Sequence, residues 1–188
     1  GFGSEFEKGT IQTLLSYPLK RHMVLTAKLL SALGISLLMF LGIQFFALFI
    51  MAPQTVSANL TTVIVSYLAS LSYPFFLTAI LLIVAMKIRK GGLALVLGIV
   101  LYFALSVAQG ILTALSITTG SPLTLKALSV LNPSLALQYH FNPLGSLTSG
   151  ETLWNPSFNE VLAYVGGGYC LVIVAFLIVY YYFRRLNI

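Results

Sequence analysis

Four long stretches without a single charged residue dominate this chain: Leu29–Ala52, Val63–Met86, Leu93–Leu115 and Val161–Phe183. A helix rises 1.5 Å per residue, so about 20 apolar residues cross a hydrocarbon core of about 30 Å. All four stretches are long enough. Lipid offers the backbone no hydrogen bonds, so a spanning segment must satisfy its own; a helix does this alone, and runs of this length far exceed a barrel strand. The expected fold class is an all-α integral membrane protein with four transmembrane helices in this chain. The composition agrees: 59% of the residues are hydrophobic and 7% charged, where a soluble domain carries about a quarter charged. Four such runs in 188 residues also argue against buried core helices of a soluble protein. None resembles a cleaved signal peptide, since the first begins well inside the chain behind a polar segment.

Charge sets the expected orientation. Lys8, Lys20, Arg21 and Lys28 precede the first span, Lys87, Arg89 and Lys90 fill the turn between the second and third, and Arg184 and Arg185 follow the fourth. Four spans place all of these on one side. Lys126 falls opposite, with Glu151 and Glu160. Cytoplasmic loops are enriched in Lys and Arg, which puts both termini in the cytoplasm of a multi-pass plasma-membrane protein. The net charge of +6 is then a topology signal with some attraction for membrane lipid, not a nucleic-acid signal.

Small and polar residues mark where helices meet. Gln44 in the first span needs a partner across the bundle, either another helix or a transport path. Pro74 removes a backbone donor in the second span and predicts a kink. Ser106, Gln109, Gly110 and Thr113 recur at three- and four-residue spacing on one face of the third span. With Gln44, they (Ser106, Gln109 and Thr113 in particular) form a candidate translocation or helix-interface face. Gly166, Gly167 and Gly168 in the last span predict close contact or a bend. Cys170 reads as a small interior residue.

Between the third and fourth spans, residues 118–160 form an outer helical segment. Asn132-Pro133 separates two apolar pieces, Leu123–Leu131 and Leu135–Phe141, each too short to cross a bilayer. Two short helices lying on the outer leaflet, or dipping in and returning, satisfy both constraints. Leu144–Thr152 is expected to be a loop, with Trp154 and Phe158 near the interface. Met51-Ala52-Pro53 ends the first span, and a polar loop is expected through Asn59.

The spans hold no Asp, Glu, Lys or Arg away from their ends, and such residues are the usual proton relays and ion ligands. No acid–base pair, nucleophile triad, metal-ligand set or Walker phosphate loop appears. His22 and His140 fall on opposite faces and cannot cooperate. No cofactor or metal is expected in this chain.

The amino-terminal 28 residues read as a cytoplasmic segment, and residues 29–188 as the membrane domain. Ile11, Leu14, Leu15 and Leu19 recur at helical spacing among polar residues, which suits a helix at a membrane surface or against a partner. Pro18 predicts a turn. The run Glu7-Lys8-Gly9-Thr10-Ile11-Gln12-Thr13-Leu14-Leu15-Ser16-Tyr17-Pro18-Leu19-Lys20-Arg21, directly before a span, resembles the permeases of the ABC-2 class of ATP-binding-cassette transporters. In that family such a segment is the amphipathic coupling helix that rests on a separate ATP-binding subunit. The resemblance implies that Glu7, Gly9, Thr10, Leu14, Leu15, Pro18 and Arg21 couple this chain to an ABC-type ATP-binding subunit. ATP and Mg would be held in that partner, with a second copy of the permease or a homologous permease alongside. It also implies that the chain corresponds to the coupling helix and the last four of six family spans, as the ordered part of a longer protein. Residues 118–160 would be the family's outer re-entrant helices. The implied function is export driven by ATP hydrolysis elsewhere. The alternative is a non-transporting structural membrane subunit of a larger assembly such as a respiratory complex; an enzyme acting on lipid is weaker.

Overall fold

A computed structural model describes residues 21–88, 90–145 and 152–185, and only part of the side chains of the first helix. The described residues form seven helices in chain order: α1 (Arg21–Met51), α2 (Pro53–Ala58), α3 (Leu60–Ile88), α4 (Gly91–Thr119), α5 (Leu123–Leu131), α6 (Pro133–Phe141) and α7 (Phe158–Arg185). Strands β1 (Leu144–Gly145) and β2 (Thr152–Trp154) pair antiparallel. The fold is all-α. Among the described residues, three helices are long and apolar enough to cross a membrane: Leu60–Ile88, Gly92–Thr119 and Phe158–Arg185. They cover the second, third and fourth expected stretches and extend each by a few residues.

The frame of the molecule is the pair α3 and α7. Buried or core-packed positions of α3 fall at Val65, Ala69, Ser72, Phe76, Ala79, Ile83 and Met86. Those of α7 fall at Val161, Val165, Gly168, Val172, Ala175, Val179 and Phe183. The α3 series alternates steps of four and three, and the α7 series does so as far as Val179, the spacing of a seam that keeps one face of a helix against a neighbour; Tyr67, Leu71, Leu77 and Ala85 of α3 are buried off this seam. Val65 and Val161 share one core cluster and Met86 and Phe183 another, so the two helices run parallel. Small residues lie at the middle of both seams (Ala69, Ser72, Ala79; Gly168, Ala175). In lipid, where no hydrophobic force draws helices together, that close approach supplies the van der Waals contact that does.

Residues 89–90 join α3 to α4, which returns antiparallel. A Cβ built on Gly98 would stand 2.9 Å from Leu81 Cδ2, so Gly98 accommodates that leucine. The end of the bundle where α3 stops and α4 starts carries Lys87 and Lys90. Arg184 and Arg185 close α7 at the same end, where cations complement the helix dipole. The Arg185 guanidinium stacks over Tyr181 at 4.5 Å. Pro74 lies inside an uninterrupted α3.

At the opposite end α4 stops at Gly120, whose φ of 65° is left-handed backbone that favours glycine. There α5 and α6 form a helical hairpin, broken at Asn132-Pro133 as expected. The residue before proline is pushed out of the helical region, and Asn132 has ψ 84°. Proline tolerates the first helical turn, so Pro133 opens α6. The hairpin packs against α3, α4 and α7. Its core residues Leu125, Leu135, Ala136, Leu137 and Tyr139 join Val65, Ala69, Val161 and Val165.

Several local expectations are corrected. The stretch after Pro53 is the short helix α2, because proline at its first position is compatible with helix. The expected loop from residue 144 is bracketed by the β1–β2 ladder. Trp154 is buried against Tyr139 and Tyr164, with ring centroids at 5.8 and 5.9 Å. Cys170 is exposed on α7, because it lies off the seam.

Candidate functional site

The tip of the α5–α6 hairpin reaches well inside the bundle. Gly168 packs between Pro133 and Ser72: a Cβ on Gly168 would lie 2.8 Å from Pro133 Cγ and 2.8 Å from Ser72 Oγ. Ser72 is twelve residues into α3 and Gly168 ten into α7, about 18 and 15 Å below their first residues. The Asn132 amide reaches Gln109 Oε1 at 3.4 Å, and Gln109 lies ten residues before the end of α4, again about 15 Å deep. The two contacts, through Gly168 and through Gln109, agree on a depth of about 15 Å from the helix ends, equal to half the thickness of a hydrocarbon core of about 30 Å.

A chain break at that depth must satisfy its backbone internally. Asn132 N donates to Leu128 O at 2.8 Å and Leu135 N to Asn132 O at 3.1 Å, while Pro133 has no N–H to satisfy. Ser134 Oγ donates to Asn132 Oδ1 at 2.6 Å, so the Asn132 amide is used on both sides. Nearer the surface, Ser116 and Thr124 pair their hydroxyls between α4 and α5. At the top, His140 Nδ1 meets the Pro156 carbonyl at 2.8 Å, tying the end of α6 to the approach to α7.

On the other side of the hairpin, α6 and α3 enclose a cleft of about 430 Å³. Thr62, Ser66 and Ser70 line it from α3, one helical turn apart, and Ser134 and Gln138 face them from α6. Leu48 of α1 and Phe141 stand at its rim. Among the described residues, no charged side chain lines it. Ser134 belongs to both features: it lines the cleft and holds the amide of the break.

Of the expected face, Gln109 and Thr113 are half-buried against the hairpin. Thr113 donates to the Gln109 carbonyl at 2.9 Å. Ser106 is exposed. Gln44 lies in α1, one turn before Leu48, and its side chain is outside the described ones. Glu7, Gly9, Thr10, Leu14, Leu15 and Pro18 lie outside the described residues, as does the Arg21 side chain at the start of α1. The hydroxyl row Thr62, Ser66 and Ser70 was missed, although its four-residue spacing was present in the sequence. Among the described residues, no group of three His, Cys, Asp or Glu side chains could hold a metal ion.

This arrangement can hold and orient neutral hydrogen-bonding groups. A family model for ABC-2 family transporter proteins matches residues 2–187. The chain belongs to the ABC-2 transporter family. No curated protein and no solved structure matches it. As an ABC-2 membrane permease, it joins a half-depth hairpin to a neutral cleft within the membrane part of a transporter.

Proposed function

We propose that this chain is the permease subunit of an ATP-driven exporter, moved by ATP hydrolysis in a separate ABC-type subunit. The observation that carries the reading is the half-depth hairpin. Its tip is held by side-chain contacts with α4 and by close packing on α3 and α7, and it closes one end of the bundle without crossing it. Such a piece can shift relative to the α3–α7 pair while the spans stay in place. The described spans carry Asp, Glu, Lys and Arg only at their ends, which supports a reading in which a separate subunit supplies the work of movement.

On this reading α1 is the first of this chain's four spans, both termini are cytoplasmic, and the hairpin faces the outside of the plasma membrane. Residues 1–28 are the cytoplasmic coupling segment. Glu7, Gly9, Thr10, Leu14, Leu15, Pro18 and Arg21 dock on the ATP-binding subunit, which holds ATP and Mg. A second copy of this permease, or a homologous one, completes the transporter.

Affinity purification of the permease tests the reading. The ATP-binding subunit is expected to co-purify, and Glu7→Lys or Arg21→Glu is expected to weaken that association or to uncouple ATPase activity from transport. Unchanged assembly and transport in both variants would overturn the coupling assignment. Export is tested in vesicles of both orientations; ATP-dependent movement toward the face bearing Lys87 and Arg184 would reverse the direction.

A further inference from the structure

We propose that the cleft between α3 and α6 binds an uncharged amphiphile, entering sideways from the bilayer, with a hydroxyl- or amide-bearing head held by Thr62, Ser66, Ser70, Ser134 and Gln138. This binding needs no ATP and stands independently of the export reading.

The cleft hydroxyls combine the lack of a hydrogen bond with open volume in front of them. Three threonines elsewhere in the bundle fold back on their own helix: Thr78 donates to Pro74 O at 2.8 Å, Thr113 to Gln109 O at 2.9 Å and Thr119 to Leu115 O at 2.7 Å; the Ser72 and Ser129 hydroxyls are also without a hydrogen bond, but are fully buried in packed surroundings. Among the described residues, Thr62, Ser66 and Ser70 make no hydrogen bond, although each has the carbonyl of the preceding turn within its own helix. They are half-buried and line open volume. Ser72, by contrast, faces the α7 seam and is 1% exposed. The three cleft hydroxyls repeat every four residues, a ladder with rungs about 6 Å apart. Across from them Gln138 presents an exposed amide with two donors and an acceptor, and Ser134, donating to Asn132, keeps its lone pairs for a ligand donor.

Charge decides the class of head group. A phosphate or ammonium in this cleft would meet no counter-charge among the described lining residues, at a cost of several kcal/mol. A neutral hydroxyl or amide exchanges hydrogen bonds with the ladder and leaves no ion behind. Size decides how much of the ligand enters. About 430 Å³ lies in the range of small-molecule sites, roughly 300–1,000 Å³. It holds a small head and the first methylenes, while the chains stay in the bilayer. The rim supports that orientation: Leu48 and Phe141 are 41% and 62% exposed and offer apolar surface where chains would leave.

The test uses the intact transporter in phosphatidylcholine nanodiscs. The probe is a diacylglycerol with a photoactivatable diazirine at the start of one acyl chain, read by mass spectrometry of cross-linked peptides. Labelling is expected to concentrate on residues 62–70 and 134–141, to fall with excess unlabelled diacylglycerol, and to resist the same excess of phosphatidic acid. Ser66→Leu with Ser70→Leu is expected to cut it about tenfold by removing two hydrogen bonds and filling the space. Ser66→Thr is expected to retain it. Equal competition by phosphatidic acid in the unsubstituted protein, or labelling spread over the exposed face of α4, would overturn the proposal. So would full labelling in the double-leucine variant. The competition arm decides the matter even where the double variant does not fold.

Discussion

Gly168 lies so close to Pro133 that a Cβ added at residue 168 would stand 2.8 Å from the proline Cγ. The two residues mark where the deepest point of the hairpin meets the long helix α7. Neither contact partner can yield cheaply: Pro133 is a ring fixed to the backbone, and Ser72 Oγ sits on the opposing seam at the same distance. The glycine is what allows the hairpin to reach half depth.

Gly168→Ala is therefore expected to destabilise the protein by about 1–3 kcal/mol through overpacking, despite a helix-propensity gain of about 1 kcal/mol for alanine over glycine. Gly166→Ala meets nothing within 4 Å and is expected to keep most of that gain. Thermal unfolding of the two variants in one detergent checks the contrast. Equal midpoints would mean that the hairpin tip does not rest on α7.

The Gln109–Asn132 hydrogen bond is long at 3.4 Å. Polar pairs inside membrane proteins couple by about 0.6 kcal/mol on average and by about 1.7 at most. A double-mutant cycle with Gln109→Ala and Asn132→Ala is expected to return a coupling near the lower figure. Asn132→Ala alone is expected to cost more than Gln109→Ala, since it also strips Ser134 Oγ of its acceptor. A larger loss from Gln109→Ala would reverse that assignment.

The start of α7 is held by a reciprocal cap. Ser157 N donates to Glu160 Oε2 at 2.7 Å, and Glu160 N donates to Ser157 Oγ at 3.3 Å. This pairing satisfies two of the amides that a helix start leaves without partners. Ser157→Ala is expected to cost about 1 kcal/mol and to speed hydrogen exchange at residues 158–162, with no change near Arg184. Uniform acceleration along α7 would point to a global effect instead.

The large features were legible because lipid makes them so. A charge inside a span is costly, so uncharged runs and the basic residues between them are written plainly, and Asn132-Pro133 announces its break by proline sterics. Features internal to the bundle were not. In a soluble helix the buried face is apolar and the other polar; in α3 and α7 both faces are apolar. The seam from Val65 to Met86 therefore lacks polarity contrast, and only its small residues hint at it. Thr62, Ser66 and Ser70 blended into the start of a span. The β1–β2 ladder is too short to carry a period, and Trp154 reads as an interface residue until its partners Tyr139 and Tyr164 are known. The coupling residues Glu7 to Pro18 rest on sequence resemblance, since they lie outside the described structure.

The parallel seam makes the sharpest demand on geometry. If α3 and α7 keep one register along their length, each α3 seam residue faces the α7 residue at a constant offset: Val65 with Val161, Ser72 with Gly168, Ala79 with Ala175. The Ser72–Gly168 contact fixes that register at mid-bundle, and Ala79 and Ala175 share the core cluster one step further along. Disulfides form only where Cα atoms approach within about 7 Å and the Cβ vectors converge. In a Cys170→Ser background, Ala79→Cys with Ala175→Cys is expected to cross-link within the chain under mild oxidation. Ala79→Cys with Leu177→Cys is expected not to, because Leu177 is exposed on the far side of α7, about 160° around the helix from Ala175. Cross-linking of the second pair in preference to the first would mean that α7 is rotated from the packing described here, and the hairpin tip would lose its seat at Gly168.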